Sequence, residues 1–304
     1  MIAPGIHQIA ADAYHADPCP LPSLSSSIAN VLLAQTPRHA WTQHPRLNPN
    51  FERETKAEFD LGEAAHALLV GEGREVAVIE AENYRSNAAK DARDKARAEN
   101  KTPLLPHQLA TVTAMADAAR AQLARHEARA FLDPKNLSER TLIWKEGPTW
   151  LRARPDRMRA DGAIIWDYKT TTNAHPDAFA RKIYDMGYDV QAALYARGVA
   201  RAMGVENAAF QFVVQENEPP FALSVVALTP AALGMADRKV ENAIRIWREC
   251  VAADSWPGYP ARVCHVDPPG YAEKAWLERE AREEADPATI KTMIDWQAPL
   301  KGAA

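Results

Sequence analysis

The stretch RARPDRMRADGAIIWDYKTTTNA, residues 152–174, constrains the chain more than any other. It reads as two β-strand runs joined by Asp161-Gly162, a dipeptide suited to a two-residue hairpin turn. Such a loop sets Ala160 opposite Ala163, and the same register sets Asp156 opposite Asp167 with both side chains on one face. Lys169 follows on that face, Arg154 falls opposite it, and Arg152 lies one step further along. Carboxylates directly across a sheet repel, and burial beside Ile164, Ile165, Trp166 and Tyr168 worsens the repulsion. A divalent cation between them removes the objection, since Mg²⁺ takes hard oxygen ligands. The alternative is an exposed hairpin with three solvated charges, which the apolar neighbours argue against. Pro155 donates no ladder hydrogen bond and leaves room for local irregularity.

The rest of the chain supplies a setting for this hairpin. Residues 1–22 read as irregular, and a Ser-capped helix is expected from about Ser26 to Gln35, stopped by Pro37. ETKAEFDLGEAAHALLVGEG reads as a helix with Phe59, Leu61, Ala65, Leu68 and Leu69 on its apolar side, ended by Gly71 and Gly73. A short strand, Val76–Glu80, precedes helices at Ala88–Glu99 and Pro106–Ala130. Five strand-like runs then lie between residues 138 and 229: SERTLIWKEG, TWLRARPDRMR, GAIIWDYKTT, AAFQFVVQEN and FALSVVALT. A single helix, Ala178–Met203, follows the third, and another, Pro230–Ala253, follows the fifth. This order predicts an α/β (α+β) fold with a central mixed sheet, one crossover and flanking helices. The expected organisation is a helical N-terminal part, residues 1–130, which contains the helix 57–70. A core of sheet and helices, 131–254, follows it, and then an appendage, 255–304, with an acidic helix at Tyr271–Glu284. All three belong to one domain.

Composition excludes several classes. No run of 18 apolar residues exists, so no membrane span is expected. The N-terminus has no basic segment followed by a long apolar run, which predicts a cytoplasmic protein. Cys19, Cys250 and Cys264 lie far apart, fit reduced thiols, and cannot form a four-cysteine zinc or iron–sulfur site. Neither GxxxxGK(S/T) nor GxGxxG occurs, so no nucleotide cofactor is expected. The net charge of −4 gives no bulk signature of nucleic-acid binding. Local cationic clusters remain, in residues 152–159 and in 85–101, where Lys90 and Arg93 lie. Interspersed acids make a solvated helix face the plainer reading of the second cluster.

Pro155-Asp156, ten intervening residues and Asp167-Tyr168-Lys169 resemble the PD-(D/E)xK nuclease motif. Its RecB-like branch carries a His on an upstream helix, and GEAAH places His66 there. That branch also carries Gln and Tyr one turn apart after the third strand, and QAALY gives Gln191 and Tyr195 on one helix face. The strand–strand–strand–helix–strand order is similar too. The likeness is greatest to the exonuclease VIII (RecE) type of phages and prophages. Its marks are SLSSS with TPRHAW, LGEAAHALL, and WDYKTTTNAHPDAFARKIYDMGYDVQAALYARG, which extend it over roughly residues 20–260.

The resemblance implies a restriction-endonuclease-like core and a role for each residue. Asp156 and Asp167 would bind metal together with His66 and the backbone carbonyl of Tyr168. Glu139 would serve a second metal or support the first. Lys169 would orient or deprotonate the attacking water, and Gln191 and Tyr195 would hold the scissile phosphate or brace Lys169. Arg152, Arg154, Thr170 and Thr171 are the implied phosphate contacts, with Lys90 and Arg93 touching DNA further out. Mg²⁺ is the expected cofactor, with Mn²⁺ also serving because imidazole is a soft choice for Mg²⁺. The implied activity is 5′→3′ digestion of linear double-stranded DNA by a ring-like homo-oligomer, leaving 3′ single strands for an annealing protein. Two alternatives stay open: a structure-specific or single-strand endonuclease on the same fold, and a catalytically silent nucleic-acid-binding relative.

Overall fold

Two of the expected strands are broken in the middle, and the breaks decide where the charged residues go. The computed structural model describes residues 2–52 and 57–285, with backbone alone at 57–60 and at 285. The side chain of Phe59 and the tail beyond 285 lie outside the described residues. One unit runs to Gly258. It opens with β1 (Gly5–His7), α1 (Ala11–His15), α2 (Ser26–Ala34), α3 (Pro37–Thr42) and α4 (Ala57–Val70). Then come β2 (Val76–Val78), α5 (Asn87–Ala98), β3 (Thr102–Leu104) and α6 (Pro106–Leu123). A short 3-10 helix, Glu127–Leu132, leads into β4 (Leu137–Ser138), β5 (Thr141–Glu146), β6 (Thr149–Ala153), β7 (Arg157–Met158) and β8 (Ile164–Thr171). The unit closes with α7 (Pro176–Asp185), α8 (Tyr188–Met203), β9 (Ala209–Glu216), β10 (Leu223–Ala227) and α9 (Pro230–Ala253). A second unit begins at Tyr259 and carries α10 (Gly270–Ala285).

Local chemistry accounts for most boundaries. Ser25 accepts from the Ile28 N–H and Thr229 from the Ala232 N–H, so α2 and α9 start where a hydroxyl caps them. Gly71, at φ +82°, ends α4 in the left-handed region. The single helix expected over 178–203 is two helices. Gly187 turns to φ +65° between them, and the Asn30 side chain donates to the Met186 carbonyl at 2.7 Å. Likewise the helix expected to reach Ala130 stops at Leu123, and residues 1–22 hold β1 and α1 instead of irregular chain.

The five-stranded sheet has the order β10-β9-β8-β7-β4. β8 and β9 run parallel through the α7–α8 crossover, and the other neighbours run antiparallel, so the sheet is mixed. β1, β5 and β6 form a separate antiparallel sheet. From β4 onward the chain passes between the two sheets twice. One passage is at Glu139, held at φ +51°, and the other is at Arg154–Asp156 around Pro155. The Glu139 N–H donates to the Asp156 carbonyl at 3.0 Å, so the two breaks lie side by side.

The hairpin keeps the expected register, with Arg157 opposite Trp166 and Met158 opposite Ile165. Its loop is longer than two residues: the last ladder bond runs from the Arg159 N–H to the Ile164 carbonyl, and Gly162 N–H folds back to Arg159. The break at Pro155 removes the pairing of Arg154 with Lys169.

Both faces of the large sheet are covered, as its apolar alternation requires. Ile165, Phe210, Phe212 and Val214 join the core built with α2, α8 and α9. Trp166, Tyr168 and Val213 join the core built with α4 and α6. Because alternate residues of a strand share a face, Asp167, Lys169 and Thr171 look toward α7 and α8. Among the described residues no helix is long and apolar enough to cross a membrane.

Candidate metal centre and active site

Along β8 each of three side chains meets a partner from the helix pair above it. Gln191 of α8 donates its amide to Asp167 Oδ2 at 2.5 Å. Lys169 pairs with Asp167 Oδ1, and its ammonium lies 4.8 Å from the centre of the Tyr188 ring. Lys182 of α7 donates to Thr171 Oγ1 at 3.1 Å. Tyr195, one helical turn beyond Gln191, is buried and set edge-on against Phe210.

The sheet edge supplies the rest. β7 is so short that β8 runs past it, and Asp156 Oδ2 accepts the Tyr168 N–H at 2.7 Å in place of a strand carbonyl. In an extended strand a residue's C=O points to the same side as its N–H, so the Tyr168 carbonyl also faces Asp156. The Tyr168 hydroxyl is turned the other way, onto Gln215 Oε1 at 2.6 Å. From α4, His66 brings Nε2 to 3.2 Å from Glu139 Oε1 and 3.4 Å from Asp156 Oδ1. These three donor atoms all lie within 4.8 Å of one another. Arg154 pairs with the second Glu139 oxygen and donates to the Ile9 carbonyl at 2.8 Å.

The electrostatics are those of crowded carboxylates. Burial and the Asp156 charge push the Asp167 carboxyl up to about 6, against the pull of Lys169. Burial and the same neighbour raise Glu139. Burial would also raise Asp156, but His66, Lys169 and the Tyr168 N–H outweigh it and hold this carboxyl below its ordinary value. Burial disfavours a charged His66, yet Asp156, Glu139 and Asp167 push it up to about 9. Buried His66 Nε2 sits between two carboxylates and is aligned for a hydrogen bond with neither. An imidazole nitrogen and two carboxylate oxygens converging on one point are a donor set that fits a divalent cation.

A family described as "PDDEXK-like domain of unknown function (DUF3799)" matches residues 27–266. The chain belongs to this PDDEXK-like family. The crystal structure of a "Putative exonuclease" from Eubacterium rectale is similar in fold, with a TM-score of 0.56 and 14% identity over 86% of this chain and 97% of that one. A phage related exonuclease from Haemophilus somnus 129PT shares 13% identity over 63% of this chain and 95% of its own, at a TM-score of 0.28. No curated protein matches. The expected superfamily and the restriction-endonuclease-like mixed sheet with flanking helices are thus borne out.

Within this PDDEXK-like domain the motif residues Asp156, Asp167 and Lys169 come together with His66, Glu139, Gln191 and Tyr195. Asp167, expected as a metal ligand beside Asp156, pairs with Lys169 and accepts from Gln191, and the tight three-donor set is His66, Asp156 and the likewise expected Glu139. Three of the expected phosphate contacts, Arg152, Arg154 and Thr171, need correction. Arg152 is buried, donating to the Ser23 carbonyl at 2.8 Å and pairing with Asp17 at 3.2 Å, because its strand belongs to the smaller sheet. Arg154 holds Glu139 and does not lie across from Lys169. Thr171 is buried with its hydroxyl engaged. Thr170 lies against Gly62 of α4. Lys90 is exposed on α5, where Arg93 pairs with Asp94 at 2.8 Å.

Tyr188 and Lys182 are the members that sequence reasoning missed. Gly187 signals the break that sets Tyr188 over Lys169, since a glycine inside an otherwise helical run invites one. Nothing in the local sequence marks Lys182.

Proposed function

We propose that this PDDEXK-like chain is a divalent-metal-dependent deoxyribonuclease that degrades linear duplex DNA from its ends. The observation that carries the reading is the convergence of His66, Glu139 and Asp156 beside the Asp167–Lys169–Gln191 group. The family and the fold likeness support a nuclease of this superfamily. His66, Glu139 and Asp156 would hold Mg²⁺, or Mn²⁺ in its place, with Asp167 and the Tyr168 carbonyl adjoining. Bound there, the ion supplies Lewis-acid stabilisation of phosphate charge and eases deprotonation of water.

The chain's own groups do the rest. Lys169, fixed by Asp167 and the Tyr188 ring, directs positive charge at the phosphate as negative charge develops on it. Asp167, with its carboxyl raised to about 6, accepts the proton of the attacking water. Water oxygen bonds to phosphorus, the bond to the 3′-oxygen breaks, and that oxygen takes a proton from solvent. Gln191 holds the carboxylate in place, and Tyr195 lies one turn further along the same helix face.

The 5′→3′ direction, a ring of copies around the duplex and delivery of the 3′ strand to an annealing protein are proposed on the resemblance to the exonuclease VIII type. The test is incubation of the full chain with Mg²⁺ and linear duplex labelled separately at its 5′ and 3′ ends, beside closed circular plasmid and a Lys169→Ala control. Loss of linear DNA from its 5′ ends, with plasmid intact and the variant inert, is expected. Plasmid cleavage would overturn the end-specific reading. No hydrolysis of any DNA with Mg²⁺ or Mn²⁺ would overturn the enzyme.

A further inference from the structure

We propose that Arg157 is a positioning residue of the metal centre, binding together the three chain segments that carry His66, Glu139 and Asp156; this rests on the metal-dependent reading above. The three donors come from places far apart in sequence: the C-terminal part of α4, the residue after β4 and the residue before β7. Arg157 directly follows Asp156, and on the ladder it pairs with Ser138, which directly precedes Glu139. Its side chain reaches the third segment. The guanidinium donates to the Val70 carbonyl at 2.8 Å, to Ser138 Oγ at 3.2 Å and to the Asp133 carbonyl at 2.8 Å. Ser138 Oγ in turn donates to the same Val70 carbonyl at 3.3 Å.

The end of α4 is where such a tie has most leverage. A helix leaves its last carbonyls without partners inside the helix. Val70 is the final residue of α4, and His66 stands one turn before it. A cation at this end satisfies the carbonyl and suits the negative pole of the helix dipole. Arg120 of α6 donates to the Leu68 carbonyl, so the same turn is held from a second side. Arg157 lies across from Trp166, with its guanidinium 5.4 Å from the centre of the Phe131 ring, in the core built with α4 and α6. It therefore acts on the metal donors through the main chain. Burying a charge is costly, and packing alone would be served by a methionine of similar length. What the guanidinium adds is a rigid fork that joins several acceptors at once.

The test is calorimetric titration of Mn²⁺ into the full chain, for wild type, Arg157→Met, Ser138→Ala and a core control, Leu32→Ala. Leu32 is buried in the other core, on α2, so its loss destabilises the protein with the tie intact. Circular dichroism and thermal unfolding establish which variants are folded at the titration temperature. Arg157→Met should bind Mn²⁺ about 10-fold more weakly, the lower end of what outer supports of a metal site contribute. Ser138→Ala, which keeps the guanidinium, should weaken binding by a smaller factor, and Leu32→Ala should bind as wild type does. Wild-type affinity in folded Arg157→Met, or an equal loss in Leu32→Ala, overturns the positioning role and leaves the metal centre standing. Should Arg157→Met fail to fold, Ser138→Ala decides: weakened binding supports the role, and wild-type affinity overturns it. A wild type that binds no Mn²⁺ overturns the metal centre itself.

Discussion

Asp17 and Asp156 are both aspartates withdrawn from solvent within reach of a histidine, and they are built into opposite kinds of surroundings. Asp17 has a donor for each oxygen: Ser23 Oγ at 2.7 Å, the Ser23 N–H at 2.8 Å and the Cys19 N–H at 3.3 Å. Arg152 supplies one matching positive charge at 3.2 Å, and His44 closes the group at 3.3 Å. Around Asp156 the balance is different. Glu139, Asp156 and Asp167 crowd together against Lys169 and Arg154, and His66 Nε2 is buried without a hydrogen bond. A matched, saturated pair braces the fold. Three carboxylates crowded beside an imidazole are arranged for a cation from outside the chain, whose binding would displace the His66 proton.

The largest effects should separate the two groups by what they damage. Asp167→Asn is expected to lower kcat by about 10²–10⁴-fold, as loss of a proton acceptor does. The same change should leave the fold intact or stabilise it by about 0.5–2 kcal/mol, because a carboxylate held charged against burial is removed. Urea unfolding of the variant at neutral pH checks this, and a clear loss of stability would count against the crowding described above.

Asp17→Ala should do the reverse, costing about 3–5 kcal/mol in urea unfolding by leaving Arg152 buried and unpaired. Burial alone would raise the Asp17 carboxyl, but His44, Arg152 and Ser23 outweigh it and hold it below its ordinary value. A depressed carboxyl stabilises the fold above its unfolded pKa of about 3.9, and that contribution is lost as pH falls through the lower folded value. Unfolding measured from pH 6 downward should therefore steepen below about pH 4 in wild type, and less so in Asp17→Ala.

The smallest effect concerns the ring over Lys169. Tyr188→Leu should lower kcat a few-fold, in line with a cation–π contact of about 0.5–1 kcal/mol, while Tyr188→Phe keeps the wild-type rate. Equal rates in all three proteins would show that Asp167 alone positions the ammonium.

The same contrast explains what the amino-acid sequence discloses. The Asp161-Gly162 hairpin and its register were legible because a strand alternates strictly, so Asp156 and Asp167 could be placed on one face by counting. His66, Gln191 and Tyr195 were legible through helical spacing and family likeness. Arg152 and Arg154 were misplaced because their strand leaves the large sheet at Pro155, and their partners are distant in sequence: Asp17 and Ser23 for one, Ile9 for the other. A pairing across more than a hundred residues leaves no local trace. The left-handed Glu139, which puts its carboxylate beside Asp156, is also set by the change of sheet and not by any residue adjoining it.

The claim that the second cluster is built for a cation is tested most directly by calorimetric titration of Mn²⁺ into the full chain, beside Asp156→Asn and Asp17→Ala. Saturable binding by wild type and by folded Asp17→Ala, lost in Asp156→Asn, is the expected result. Equal binding by wild type and Asp156→Asn, or none by wild type, would contradict it.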